Sequence, residues 1–260
     1  MAEKRIVLIT GGASDIALAT ARHFARESAH PVLCDVNFAE LQRKAVDLDI
    51  HAVDLTDPTA IARWVAMVAE RHGRIDVLVN NAAVMAAGDV EAATEQDLDL
   101  SYAVNLKAPF LLAKAVVPIM RRGGGGAIVN VASVHAIAPG PRRVAYATMK
   151  AALLGLTRSM AVDLGSSNIR VNAVCPTATQ TAQLERTWRE RGSGAGHGNL
   201  YDWANAQHPA GRIATVDQVA EAIAFLSGAT FVSGVELRVD GGLLASLRLL
   251  PPEQLKTLSW

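Results

Sequence analysis

An open α/β fold, a doubly wound sheet of seven parallel strands with helices on both faces, is predicted by three observations on this 260-residue sequence. Short apolar runs recur without the alternation of a half-solvated strand, as strands buried on both faces require. Helical patterns separate them, the mark of strand-helix-strand units. No Pro/Ser-rich linker or composition break divides the chain, so one domain over 1–260 is the economical organisation.

The strands are expected near 5–10, 31–34, 50–54, 75–80, 127–133, 169–175 and 236–239. The first, RIVLIT, runs directly into Gly11, Gly12, Ala13 and Ser14 and then the helical pattern IALATARHFARES. A strand that turns through glycine into a helix presents free backbone N–H groups and a positive helix end, which suit a pyrophosphate. Gly11, Ser14, Asp15 and Ile16 are the candidate residues of that cradle. The second strand, PVLC, ends at Asp35, about 24 positions after Gly11, where a carboxylate accepts both hydroxyls of an adenosine ribose. A 2′-phosphate there would meet like charge, which favours NAD over NADP. The third strand is expected to end at Asp54 and Leu55, and the fourth, IDVLVNNAA, at Asn80 and Asn81, just before Ala82. Both ends fall on the carboxyl edge of a parallel sheet, where ligands bind.

The fifth strand, AIVNVAS, carries Ser133 to the same edge. Thirteen positions on, Tyr146 and Lys150 stand four apart in the helical stretch AYATMKAALLGLTRSMAVDLG. Residues at that spacing share a helix face, so the Lys150 ammonium is expected beside the Tyr146 phenol, favouring its ionised form. A tyrosine that ordinarily titrates near pH ~10 then serves as base or acid closer to neutrality. With Ser133 hydrogen-bonding the substrate oxygen, the implied chemistry interconverts an alcohol and a ketone. His135 and Arg143 flank this group, and an arginine fork suits a carboxylate. The alternative for Arg142 and Arg143 is a pair of solvated loop charges.

Taken in order, Thr10-Gly11-Gly12, Asp54, Asn80-Asn81-Ala82, Asn105 in VNLKAPF, Ser133, Tyr146, Lys150 and Pro176 through Thr181 resemble the short-chain dehydrogenase/reductase family along essentially the whole chain. The resemblance implies a Rossmann-type fold and a nicotinamide-dependent oxidoreductase with Asn105, Ser133, Tyr146 and Lys150 as catalytic tetrad. It also implies nucleotide contacts at Asp54, Leu55, Asn81, Ala82, Tyr146, Lys150, Pro176, Thr179 and Thr181. In Ser133-Val134-His135 and the basic residue at 143 the chain is similar to the 3-hydroxybutyrate and 2-keto-3-deoxy sugar-acid branch, so Ser133, His135, Arg143 and Tyr146 are the candidate substrate contacts. A neutral-substrate reductase, or less readily a non-catalytic dinucleotide-binding protein, is the alternative. The family's second and third loop glycines are here Asp15 and Ala17, its Asn-Asn-Ala-Gly ends in Ala83, and the glycine after Pro176 is Thr177. An aspartate next to a pyrophosphate weakens binding, and Asp15 is expected to turn away and cap the following helix.

Twenty-five basic and 25 acidic residues give zero net charge, which suggests neither a nucleic-acid nor a membrane-surface partner. No apolar segment is expected to reach membrane-spanning length, and a cytoplasmic protein with a small-molecule substrate is expected. Cys34 and Cys175 fall at strand ends as reduced core residues, and the seven histidines, without ligand spacing, predict no metal site. The stretch 181–211, with its glycine-rich run at 192–198, is expected to form a substrate lid. The apolar faces of helices around 98–120 and 145–164 exceed what one sheet covers, and the resemblance implies pairing into a homodimer or homotetramer.

Overall fold

The computed structural model describes residues 4–192 and 200–246, and strands alternate with helices along them. They run β1 (Ile6–Thr10), α1 (Asp15–Arg26), β2 (His30–Asp35), α2 (Phe38–Lys44), β3 (Asp49–Ala52), α3 (Pro58–His72), β4 (Val77–Asn80), α4 (Glu95–Tyr102), α5 (Ala108–Arg122), β5 (Gly126–Val131), α6 (Val144–Leu164) and β6 (Ile169–Pro176). β7 (Thr179–Gln180), α7 (Ala182–Gly192), α8 (Leu200–Gln207), β8 (Ala214–Thr215), α9 (Val216–Gly228) and β9 (Glu236–Val239) follow. Seven strands pair in parallel in the order β3-β2-β1-β4-β5-β6-β9, the expected doubly wound, Rossmann-type sheet. A separate two-residue pair, β7 with β8, was not expected.

Helix starts are set by local chemistry. Ser14 caps α1, Asp57 caps α3 ahead of Pro58, and Thr94 with Asp97 closes a capping box on α4. The pleat then sends successive strand residues to opposite faces. In β1, Leu8 joins the cluster of Val32, Trp64, Leu112 and Ile128, whereas Val7 and Ile9 join Phe24, Leu33, Val129 and Ile223 on the other face. Fully burying a large apolar side chain contributes roughly 1.5–3 kcal/mol, so these two layers hold the sheet.

Three expectations need correction. β3 ends at Ala52, which leaves Asp54 and Leu55 just beyond it, and β5 ends at Val131, which leaves Ser133 on the loop after the strand. In both cases the last residues leave the ladder to turn back over the carboxyl edge. One continuous helix, Glu95–Arg122, is by length and composition apolar enough to cross a membrane, contrary to the reading above. Half of its apolar window is buried, with Leu112, Val116 and Met120 in the core, so packing against the sheet accounts for its composition.

Candidate active site

The glycine loop is shaped by contacts across the β1–β4 switch point. Gly11 has φ +67°, and a Cβ on it would come within 2.7 Å of the Ala82 Cα, so a side chain is excluded by conformation and by space. The Thr10 hydroxyl accepts the N–H groups of Asn81 and Ala82, both at 3.1 Å. In return the Asn81 amide donates to Thr10 O, Gly11 O and the Ser14 Oγ at 2.9, 3.2 and 3.0 Å. Asn81 and Ala82 thus brace the loop. Ser14 accepts the Ala17 N–H, while the N–H groups of Asp15 and Ile16 have no hydrogen-bond partner among the described residues. Two unpaired donors at a helix start fit a nucleotide pyrophosphate.

Asp15 turns away, but Ser14 holds the cap in its place. The Asp15 carboxylate pairs with Lys44 at 3.1 Å and accepts the Ala182 N–H at 2.7 Å. Lys44 also donates to Ala13 O at 3.1 Å, which binds α2 to the loop; its position after Asp15 carries no signal in the sequence. Asp35, at the end of β2, accepts from Ala13 N at 3.0 Å and Asn37 N at 2.8 Å, so its carboxylate is held beside the loop. The Asp54 carboxyl lies below its usual range because the Thr56 hydroxyl and N–H both donate to it. Leu55 is buried in the core. At the end of β6, Pro176 is buried and the Thr179 hydroxyl donates to Thr177 O, while Thr181 accepts the Leu184 N–H at the start of α7. Thr177, where the resemblance expects glycine, bonds His208 Nε2 at 2.8 Å and so ties β6 to the segment after α8. Within the expected lid the structure shows α7 and α8, with Trp188 edge-on to Tyr201; the run 193–198 lies outside the described residues.

Asn105, Ser133, Tyr146 and Lys150 converge at the carboxyl edge. Asn105 sits in a single π-helical turn, Ala103–Lys107, that interrupts the long helix, a distortion frequent at functional sites. Its amide is fully buried and closes a pair of bonds with the Val84 backbone, donating at 2.9 Å and accepting at 3.0 Å. Ser133 accepts the His135 N–H at 3.1 Å. Tyr146 stands edge-on to His135, with ring centroids 6.2 Å apart. Burial pushes the Tyr146 phenol up, and a hydrogen bond with Ser133 and the charge of Arg143 oppose that. Lys150 is buried, donates to Val131 O at 2.6 Å, lies 5.7 Å from the Tyr146 ring centroid, and is pushed down by burial to about 8.

This corrects the expected effect of Lys150 on the phenol. Instead of meeting the phenol oxygen, the ammonium is spent on a strand carbonyl, and both groups lose solvation together. Arg143 fills part of that electrostatic role, since its charge bears on Tyr146 and, after burial, is the next cause that lowers His135. Gly140 N–H donates to His135 Nδ1 at 3.0 Å, which fixes the ring. Beneath the site a buried chain, Asn80 to Asn130 to Thr157, links β4, β5 and α6, and nothing in the residue spacing announced it. Cys34 and Cys175 are buried free thiols, and burial raises Cys175 to about 11.

A glycine-loop switch point facing a Ser, Tyr and Lys group on one sheet edge defines a nucleotide-dependent oxidoreductase. The enoyl-(acyl carrier protein) reductase family model matches residues 11–244, and the chain belongs to the short-chain dehydrogenase/reductase family. It is an NAD(P)-dependent oxidoreductase acting on alcohol or ketone substrates. The chain is 36% identical over 251 residues to the 3-oxoacyl-[acyl-carrier-protein] reductase FabG of Thermotoga maritima, covering 93% of this chain and 98% of that one. It is 31% identical over 255 residues to the D-beta-hydroxybutyrate dehydrogenase of Rhizobium meliloti, covering 93% and 99%. Among solved structures, ElxO with NADP bound superposes with TM-score 0.86 at 27% identity, covering 94% and 100% of the two chains. NAD+-bound xylitol dehydrogenase superposes with TM-score 0.82 at 28% identity, covering 93% and 100%.

Proposed function

We propose that the protein is an NAD-dependent dehydrogenase of a small hydroxy acid or sugar acid. What supports this reading is that Arg143 caps the start of α6 one turn before Tyr146, with its charge opposing the rise of the phenol pKa and lowering that of His135. A carboxylate two or three bonds from the reacting carbon would meet that fork. The nicotinamide nucleotide supplies the hydride acceptor or donor. Ser133 holds the substrate oxygen, Tyr146 takes the hydroxyl proton on oxidation or returns it on reduction, and Lys150 and Asn105 order the site around them. Gly11, Ser14, Asp15, Ile16, Asn81 and Ala82 hold the pyrophosphate and the strand crossing. Asp35 takes the adenosine ribose hydroxyls, and its neighbours Val36 and Asn37 offer no cation to a 2′-phosphate. Asp54, Leu55, Pro176, Thr179 and Thr181 complete the nucleotide edge, with 181–211 as the lid over it.

A neutral-substrate reading has its own observation, that Arg143 Nη1 donates to Arg142 O at 3.2 Å and so already has a backbone partner. A panel of hydroxy acids and matched neutral alcohols, run with NAD and with NADP, separates the two. Higher kcat/KM on the acids with NAD supports the proposal. Turnover of neutral alcohols alone, or equal use of NADP, overturns it.

A further inference from the structure

We propose that His30, Asp49 and His72 form a binding site for a zinc-class divalent cation at the amino edge of the sheet, opposite the catalytic edge. His30 opens β2, Asp49 opens β3 and His72 closes α3, so three elements distant in sequence deliver one ligand each. His30 Nε2 lies 3.2 Å and His72 Nε2 3.8 Å from the same oxygen, Asp49 Oδ2. All three ligand atoms lie within 4.8 Å of one another. Around a tetrahedral zinc, with bonds of about 2.0–2.2 Å, ligand atoms sit about 3.3–3.5 Å apart, so the His30–Asp49 spacing already fits and the widest spacing must close by up to about 1.4 Å.

A second observation points to a missing electrophile. His72 Nε2 is buried and has no hydrogen-bond partner among the described residues, because 3.8 Å to Asp49 is too long for a hydrogen bond. A buried imidazole nitrogen without a hydrogen-bond partner is an unmet polar atom that a bound cation would satisfy.

The surroundings complete the arrangement. His51 Nε2 bonds the other carboxylate oxygen, Asp49 Oδ1, at 2.9 Å, which orients Oδ2 toward the two histidines in the manner of an outer-shell support. Arg71 Nη1 stands 3.3 Å from Oδ2, but its side chain is 60% exposed and swings into solvent when a cation takes that oxygen. Two imidazoles with one carboxylate suit zinc, cobalt or nickel rather than magnesium or calcium, which prefer all-oxygen shells, and water fills the remaining position. Such an ion would pin the starts of β2 and β3 to the end of α3, so it stabilises the fold and takes no part in hydride transfer.

The test uses tag-free, chelator-treated full-length protein and Zn2+ or Co2+ alone. Equilibrium dialysis should find one ion per chain at micromolar Kd, Co2+ should give the absorption bands of a nitrogen-ligated low-symmetry site, and Zn2+ should raise Tm. His30→Gln and His72→Gln should each weaken binding at least tenfold and abolish the Tm shift, while His23→Gln, outside the cluster, changes neither. If His72→Gln fails to fold, the more exposed His30→Gln still decides the matter. Binding weaker than millimolar in the wild type, or binding left unchanged by His30→Gln, overturns the proposal.

Discussion

Asp15 Oδ1 lies 3.1 Å from Lys44 Nζ, and its other oxygen accepts the Ala182 N–H at 2.7 Å. The acidic residue in the glycine loop is thereby neutralised from α2 and turned toward α7. We expect Asp15→Gly to change NADH affinity less than about threefold, as a fluorescence titration would measure. Lys44→Ala should weaken affinity about tenfold or more, since a carboxylate left unpaired near a phosphate costs about 1–4 kcal/mol. Marked tightening in Asp15→Gly would show that the carboxylate faces the pyrophosphate after all.

Tyr146→Phe keeps the ring that packs against His135 and removes the hydroxyl proposed to move the substrate proton. Turnover should fall by about 10²–10⁴-fold with nucleotide affinity nearly unchanged. More than half of the wild-type kcat remaining would sink the assignment.

Lys150 carries a pH signature. Its folded pKa is near 8 against an ordinary 10.5, so between those values the unfolded chain holds a proton that the folded chain has released. Stability therefore rises with pH across that window and is lowest below it, where the folded state carries a buried ammonium. The full difference is on the order of 3 kcal/mol. Denaturant unfolding of wild type and Lys150→Met at steps from pH 7 to 10 should show the wild type gaining on the variant as pH rises; parallel curves would refute the low value.

Arg143→Ala should raise KM for an acid substrate roughly ten- to a hundredfold, each factor of ten being about 1.4 kcal/mol, and leave any neutral alcohol unaffected. Equal effects on both substrate kinds would return Arg143 to a purely structural place at the start of α6.

Leu98, Leu100 and Tyr102 on α4, Phe110 on α5 and Val144 and Val162 on α6 are exposed, more apolar surface than three helices of one chain need present. A homodimer or homotetramer that pairs these helices is expected. Light scattering at micromolar concentration should give a multiple of 27.5 kDa, and Phe110→Glu should shift the mass toward the monomer.

What could be read along the chain was whatever depends on local pattern. Apolar runs, the glycine turn at Gly11 and the four-residue spacing of Tyr146 and Lys150 are written in neighbouring residues, so the seven strands, their parallel direction and the grouping of Ser133, Tyr146 and Lys150 at one edge were legible, whereas the strand order was not. Tertiary structure decided which partner each charged or polar group meets. Lys150 turns to Val131 O rather than to the phenol oxygen, Asp15 finds Lys44, Thr177 finds His208, and His30, Asp49 and His72 gather at the far edge from three separate elements. The physical reason is that backbone conformation follows short-range sterics and periodicity, whereas a buried charge or hydrogen-bonding group takes the partner that folding brings within about 3 Å, at any separation along the chain.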